Sequence, residues 1–132
     1  MIGVDTNVLV RYFVSDDPAQ FRIADDFITR SRNQGMRVYV DDVVLCELVW
    51  VLRSSYKLDR ETVAAILDDM LNHDQFSFGD EDLLVSALDD YIAGSGDFAD
   101  YVIGRRNKRA GCEATFTFDR GLRDEIGFRV LA

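Results

Sequence analysis

Ile2-Gly3-Val4-Asp5-Thr6-Asn7-Val8-Leu9 is the stretch from which the rest of this chain can be read. Ile2-Gly3-Val4 reads as a short buried strand that starts almost at the first residue. Asn7 to Val14 then carries Val8, Leu9, Tyr12 and Phe13 at helical spacing. Asp5 stands between the two, immediately after the strand. That is the carboxyl end, where α/β sheets form their ligand sites. The same position also suits a helix N-cap, and capping acids are common.

The pattern repeats outward. Ser15-Asp16-Asp17-Pro18 is a turn and helix start, and Phe21, Ala24, Phe27 and Ile28 carry the helix to about Arg32. Arg37 to Val40 is β-branched and aromatic, hence a strand. Val43 to about Tyr56 is a buried helix, with Asp41 and Asp42 offered as caps. Asp59 caps a helix over Arg60–Leu71, with Val63, Ile66, Leu67 and Met70 on one face. Gln75 to Phe78 is a weaker strand, and Asp80 caps a helix to about Ala93. After the Gly94-Ser95-Gly96 loop, Asp97 opens a helix to about Ala110, which Gly111 closes. Ala114 to Phe118 is a strand, Gly121 to Ile126 a helical turn or two, and Phe128 to Leu131 the fifth strand. Strands alternating with helices predict an α/β fold with a parallel sheet covered on both faces.

Composition narrows the function classes. At 132 residues, 48% of them apolar and only one Pro, the chain is expected to form a single domain over residues 1–132 with a real core. No stretch approaches the roughly 18 uncharged apolar residues of a membrane helix. No basic region followed by an apolar run opens the chain, so a cytoplasmic location is expected. Cys46 and Cys112 give neither metal-binding spacing nor a disulfide framework. His73 is the one histidine and no G-x-S-x-G motif accompanies it, which argues against nucleophilic Ser or Cys chemistry. A net charge of −9 argues against sequence-blind nucleic-acid binding through a basic surface. It is compatible with an enzyme that gathers acids to hold metal ions.

Four placements of carboxylates stand out. Asp5 is the first. Glu47 is the second, the only charged residue between Val43 and Leu52, with Val43, Val44, Trp50 and Val51 as same-face neighbours. On a buried face it needs either a metal or an ion-pair partner such as an arginine. The third is Asp97-Phe98-Ala99-Asp100, whose two acids share a helix face; Asp97 also suits a cap. The fourth is Asp119, which follows the strand Thr115-Phe116-Thr117-Phe118 as Asp5 follows the first. If those strands are neighbours, about 4.8 Å apart, the two carboxylates converge. Such a pair repels unless a cation sits between them. Hard oxygen ligands suit Mg²⁺ or Mn²⁺, which points to metal-assisted hydrolysis of phosphate esters. Arg105, Arg106, Lys108 and Arg109 follow two of these acids closely and read either as a phosphate-binding patch or as a solvated helix end.

Together, Val4-Asp5-Thr6-Asn7-Val8-Leu9, Leu45-Cys46-Glu47-Leu48, Asp97-Phe98-Ala99-Asp100-Tyr101-Val102-Ile103 and Thr117-Phe118-Asp119 resemble the PIN-domain ribonucleases, most closely the VapC-type toxins of bacterial toxin–antitoxin pairs. The resemblance runs the length of the chain. It implies a five-stranded parallel sheet in a three-layer α/β/α sandwich, with its acids at the carboxyl edge. By position Asp5, Glu47, Asp100 and Asp119 match the family's acidic cluster, and Asp97 an extra acid found in part of it. Thr6 and Asn7 match polar residues that orient the first acid or the attacking water. The resemblance further implies RNA cleavage with Mg²⁺ or Mn²⁺, with tRNA among the candidate substrates, and a homodimer. It also implies a small antitoxin that lays an inhibitory segment across the site. An acidic toxin suits basic residues in that segment. Arg105, Arg106, Lys108, Arg109, Arg120 and Arg123 are then expected at the rim of an acidic groove, on phosphates.

Two rivals come from other classes. A phosphoacceptor receiver-like domain would need a second acid beside the first, an Asp directly after the third strand and a Lys after the fifth. Here Phe78 is followed by Gly79-Asp80, and Leu131-Ala132 carries no Lys. A non-catalytic module keeping the PIN fold alone is the second rival, against which the complete acid set argues.

Overall fold

The computed structural model describes residues 1–132. They form two compact units, Met1–Glu81 and Asp82–Ala132.

The first unit runs β1 (Ile2–Gly3), α1 (Thr6–Phe13), α2 (Pro18–Asn33), β2 (Val38–Val40), α3 (Asp42–Ser54), α4 (Arg60–Leu71) and β3 (Phe76–Phe78). Its helices start where acids can cap them. Asp17 accepts from the Gln20 N–H at 3.1 Å with Pro18 just inside the helix, Asp41 from Val43 at 2.9 Å and Asp59 from Thr62 at 2.8 Å. The strands form one parallel sheet in the order β1-β2-β3. Ile2 pairs with Val38 and Gly3 with Tyr39; Val38, Tyr39 and Val40 pair with Phe76, Ser77 and Phe78. Val38, Val40, Phe76 and Phe78 alternate inward with the half-buried Tyr39 and Ser77 between them, as the two-residue period of a strand requires. Leu45, Leu48, Val49 and Leu52 of α3 and Val63, Leu67, Met70 and Leu71 of α4 are also buried. Each fully buried Leu stabilises by about 2 kcal/mol. Helix α1 lies against both α2 and α3, and α3 against α4.

The second unit holds most of α5 (Glu81–Ala93), then α6 (Phe98–Arg109), β4 (Thr115–Thr117), a 3₁₀ turn at Arg120–Leu122 and β5 (Phe128–Val130). β4 and β5 are parallel, with Thr115 opposite Phe128 and Thr117 opposite Val130. Leu84, Ala87, Leu88 and Tyr91 of α5 and Phe98, Tyr101 and Val102 of α6 are buried. The Tyr91 and Phe98 rings meet edge to face, centroids 6.0 Å apart.

The α/β character and the six helices match the sequence reading. The single five-stranded sheet does not: the strands form two parallel sheets, of three and two strands. The physical reason is strand length. β1 is only two residues long, its ladder runs to β2, and by Asp5 the chain has turned to cap α1.

Candidate active site

In the first unit, Asp5 is set by the strand-to-helix turn. Its backbone is extended (φ −95°, ψ 178°), and Oδ1 accepts the Val8 N–H at 3.2 Å. The carboxylate is exposed, with Thr6 half-buried and Asn7 exposed beside it at the start of α1. Asp5 and Asn7 line a groove of about 540 Å³ whose walls include Val8, Arg11, Ile23 and Phe27. Arg11 is tied to Asp16 at 3.2 Å, and the Tyr56 hydroxyl donates to the other Asp16 oxygen at 3.0 Å.

Glu47 lies on α3, and its surroundings overturn the reason for which it stood out. The side chain is exposed, as are Val43 (60%) and Trp50 (68%) on the same stripe of the helix. The buried stripe of α3 is Leu45, Leu48, Val49 and Leu52. Glu47 therefore meets water, and neither a buried ion pair nor a bound cation is needed to offset desolvation. The helix is apolar on both faces, so sequence period alone could not say which face was inside.

In the second unit three acids come within electrostatic range. Asp97 is the extended N-cap residue of α6 (φ −78°, ψ 151°). The Asp100 carboxylate reaches back to accept the Asp97 main-chain N–H at 3.2 Å, the reverse half of a capping box. Partial burial holds the Asp100 carboxyl above the usual Asp range; the Asp97 N–H opposes this, and the charges of Asp97 and Asp119 add to the upward push. Asp119 follows β4, accepts the Gly121 N–H at 2.9 Å and donates its own N–H to the Thr117 hydroxyl at 3.0 Å. The ladders join β1 to β2 and β4 to β5, so strand pairing does not set Asp5 against Asp119.

The donor chemistry suits a hard divalent cation, because every candidate ligand is a carboxylate oxygen. A cation near Asp100 would relieve the repulsion that Asp97 and Asp119 impose on it. Yet no three Asp, Glu, His or Cys side chains stand close enough to hold an ion between them. Asp5, Asp100 and Asp119 each spend an oxygen on a main-chain N–H instead.

The basic candidates divide. Arg105 is engaged: its guanidinium makes two contacts with the Asp90 carboxylate, at 2.7 and 2.9 Å, and that bonding raises its pKa further. Arg106, Lys108 and Arg109 occupy the last turn of α6, where cations complement the helix dipole. Arg120, exposed, opens the 3₁₀ turn directly after Asp119, and Arg123, also exposed, follows it.

Sequence reasoning passed over Tyr101 and Glu125. Tyr101 is 3% exposed, and its hydroxyl accepts the Gly96 N–H at 2.9 Å and donates to Glu125 Oε1 at 2.8 Å. The available signal was Gly94-Ser95-Gly96, a loop free of side-chain bulk directly before Asp97.

Comparison with known proteins places the chain in a family. The PIN domain family matches residues 2–125. A VapC ribonuclease of Aquifex aeolicus (strain VF5) is 25% identical over 128 residues, which cover 97% of this chain and 93% of that protein. With a family match over nearly its whole length, this chain belongs to the PIN domain family.

Proposed function

We propose that the protein is a metal-dependent endoribonuclease that hydrolyses RNA phosphodiester bonds, acting as the toxin of a toxin–antitoxin pair. Membership of the PIN domain family and similarity to a protein named VapC ribonuclease support the activity. The observation that carries the chemical reading is Asp100, partly withdrawn from water and crowded by the charges of Asp97 and Asp119. A nuclease tolerates such crowding because a cation offsets it. Asp5, Glu47, Asp97, Asp100 and Asp119 are the acids we assign to Mg²⁺ or Mn²⁺, with Thr6 and Asn7 supporting Asp5. A cation held there would acidify a water and offset charge at the phosphate. Asp100 has its pKa raised, by partial burial first and then by the charges of Asp97 and Asp119, and a bound cation would favour its ionised form. Arg106, Lys108, Arg109, Arg120 and Arg123 are the assigned phosphate contacts, with Arg105 committed first to Asp90.

The same reading brings a small antitoxin with a basic inhibitory segment, a homodimer, a single catalytic domain and a cytoplasmic location. The net charge of −9 favours the basic segment. No helix is long and apolar enough to cross a membrane.

A non-catalytic PIN-fold module is the second reading. It is favoured by the absence of any three close donors and by the capping roles of Asp5, Asp100 and Asp119. Cleavage of a mixed tRNA and structured-RNA pool separates the two. Cuts that need Mn²⁺ or Mg²⁺, stop with EDTA and vanish in Asp5→Ala establish the nuclease. A folded wild type that cuts nothing, and binds no more metal than Asp5→Ala, establishes the module.

A further inference from the structure

Asp97 and Asp100 sit at the start of α6, and Asp119 sits after β4, on a different element of the same unit. Glu125 belongs to the turn that follows Asp119: its N–H donates to Leu122 O at 3.1 Å, and its carbonyl accepts from Phe128 at 3.2 Å. From there Glu125 Oε1 reaches both α6, at Tyr101, and the loop before Asp97, at Ser95. It accepts the Tyr101 hydroxyl at 2.8 Å and the Ser95 N–H at 3.3 Å. Tyr101 closes the joint by accepting the Gly96 N–H at 2.9 Å. The phenol, the carboxylate and two main-chain amides thus form one connected network at a part-buried place.

The glycines are what let it close. A Cβ at Gly94 would overlap the Tyr101 hydroxyl and the Glu125 carboxylate. At Gly96 it would come within 3.0 Å of the same hydroxyl and 2.7 Å of Leu122 Cδ2. Any other residue at either place would force the loop or these side chains to shift and so disturb the joint. Resting on the nuclease reading above, we infer that Tyr101 and Glu125 are positioning residues: their hydrogen bond locks the start of α6, which carries Asp97 and Asp100, to the segment carrying Asp119, and so sets the spacing of the three acids. Neither side chain touches substrate. They act by holding the acids in one arrangement, where small displacements cost rate steeply.

The test uses Tyr101→Phe, Glu125→Ala and Glu125→Gln in the full chain. Three quantities are read: amide hydrogen exchange at Ser95 and Gly96, Mn²⁺ affinity by calorimetry, and kcat and KM for RNA at saturating Mn²⁺. Phe removes one hydroxyl with the ring kept, and Gln keeps an acceptor oxygen at the same reach, so both preserve packing. The expected result is exchange about tenfold faster at Gly96 in Tyr101→Phe and at both amides in Glu125→Ala. Mn²⁺ binding weakens and kcat falls by about tenfold with KM little changed, while Glu125→Gln restores both to within about threefold of wild type. Faster exchange with unchanged kcat and unchanged Mn²⁺ affinity overturns the inference, because the joint is then structural only. Unchanged exchange in Glu125→Ala overturns it too. A wild type that cuts no RNA sinks the nuclease reading separately; the inference then stands or falls on whether Mn²⁺ affinity follows loop exchange across the three variants.

Discussion

The Asp100 carboxylate accepts a hydrogen bond from the main-chain N–H of Asp97 at 3.2 Å. The contact ties two like-charged residues by a neutral donor. It steadies the ionised form of Asp100, while burial and the charges of Asp97 and Asp119 work against it, and the net pKa shift is upward.

Asp100→Asn is therefore expected to stabilise the fold while abolishing activity. Folded Asp100 binds its proton more tightly than the unfolded chain does, so stability falls as pH rises from the unfolded pKa through the folded one. Asn keeps an oxygen for the Asp97 N–H and never ionises. Its Tm should exceed that of the wild type at neutral pH, and the gap should close on acidification below the unfolded Asp value of about 3.9. Thermal melts from pH 3 to 8 (an experimental range of about five units) check this; a gap that widens on acidification contradicts the assigned direction. RNA cleavage should fall by about a hundredfold or more.

Asp5 has two roles that mutation can separate. Asp5→Ala removes the α1 cap made to the Val8 N–H and should cost about 1 kcal/mol. Asp5→Ser keeps a capping oxygen and should recover most of that stability. Neither variant should cut RNA. Chemical denaturation beside a cleavage assay reads both roles, and an active Asp5→Ser would remove Asp5 from the chemistry.

Arginine variants should not behave alike. Arg105 is exposed and Asp90 half-buried, so Arg105→Ala should cost only about 0.5 kcal/mol, with little change in RNA affinity. Arg120→Ala and Arg123→Ala should each weaken RNA binding and lower the slope of log affinity against log salt by about 1. Salt titrations of binding to an inactive Asp100→Asn protein make the comparison. Equal slopes for all three variants would contradict the division.

Truncations along α3 should report which of its faces is inside. Leu48 is 0% exposed, and Leu48→Ala should cost about 3 kcal/mol through lost burial and a residual cavity. Trp50→Ala, at an exposed position, should cost well under about 1 kcal/mol. Urea denaturation midpoints test the contrast.

Much of this protein was legible from local patterns. The Ser15–Pro18 turn and the capping acids Asp41 and Asp59 announced their helices, and helix α4 begins and ends where the periodicity of Val63, Leu67 and Met70 places it. These features depend on residues a few positions apart, whose geometry the backbone sets on its own. The acids after β1 and β4 were legible for the same reason, since each stands where a strand turns into a cap.

What could not be read locally depended on distant partners. Glu47 looked buried because its neighbours in sequence are apolar, but which stripe of an all-round apolar helix faces inward depends on what packs against it. Division of the strands into sheets of three and two turned on pairing lengths of two or three residues, too short for pattern to specify a neighbour. The joint of Tyr101 with Glu125 spans 24 positions and has no sequence period at all; folding brings a phenol, a carboxylate and two glycine-loop amides together, and hydrogen bonding at 2.8–3.3 Å then holds them.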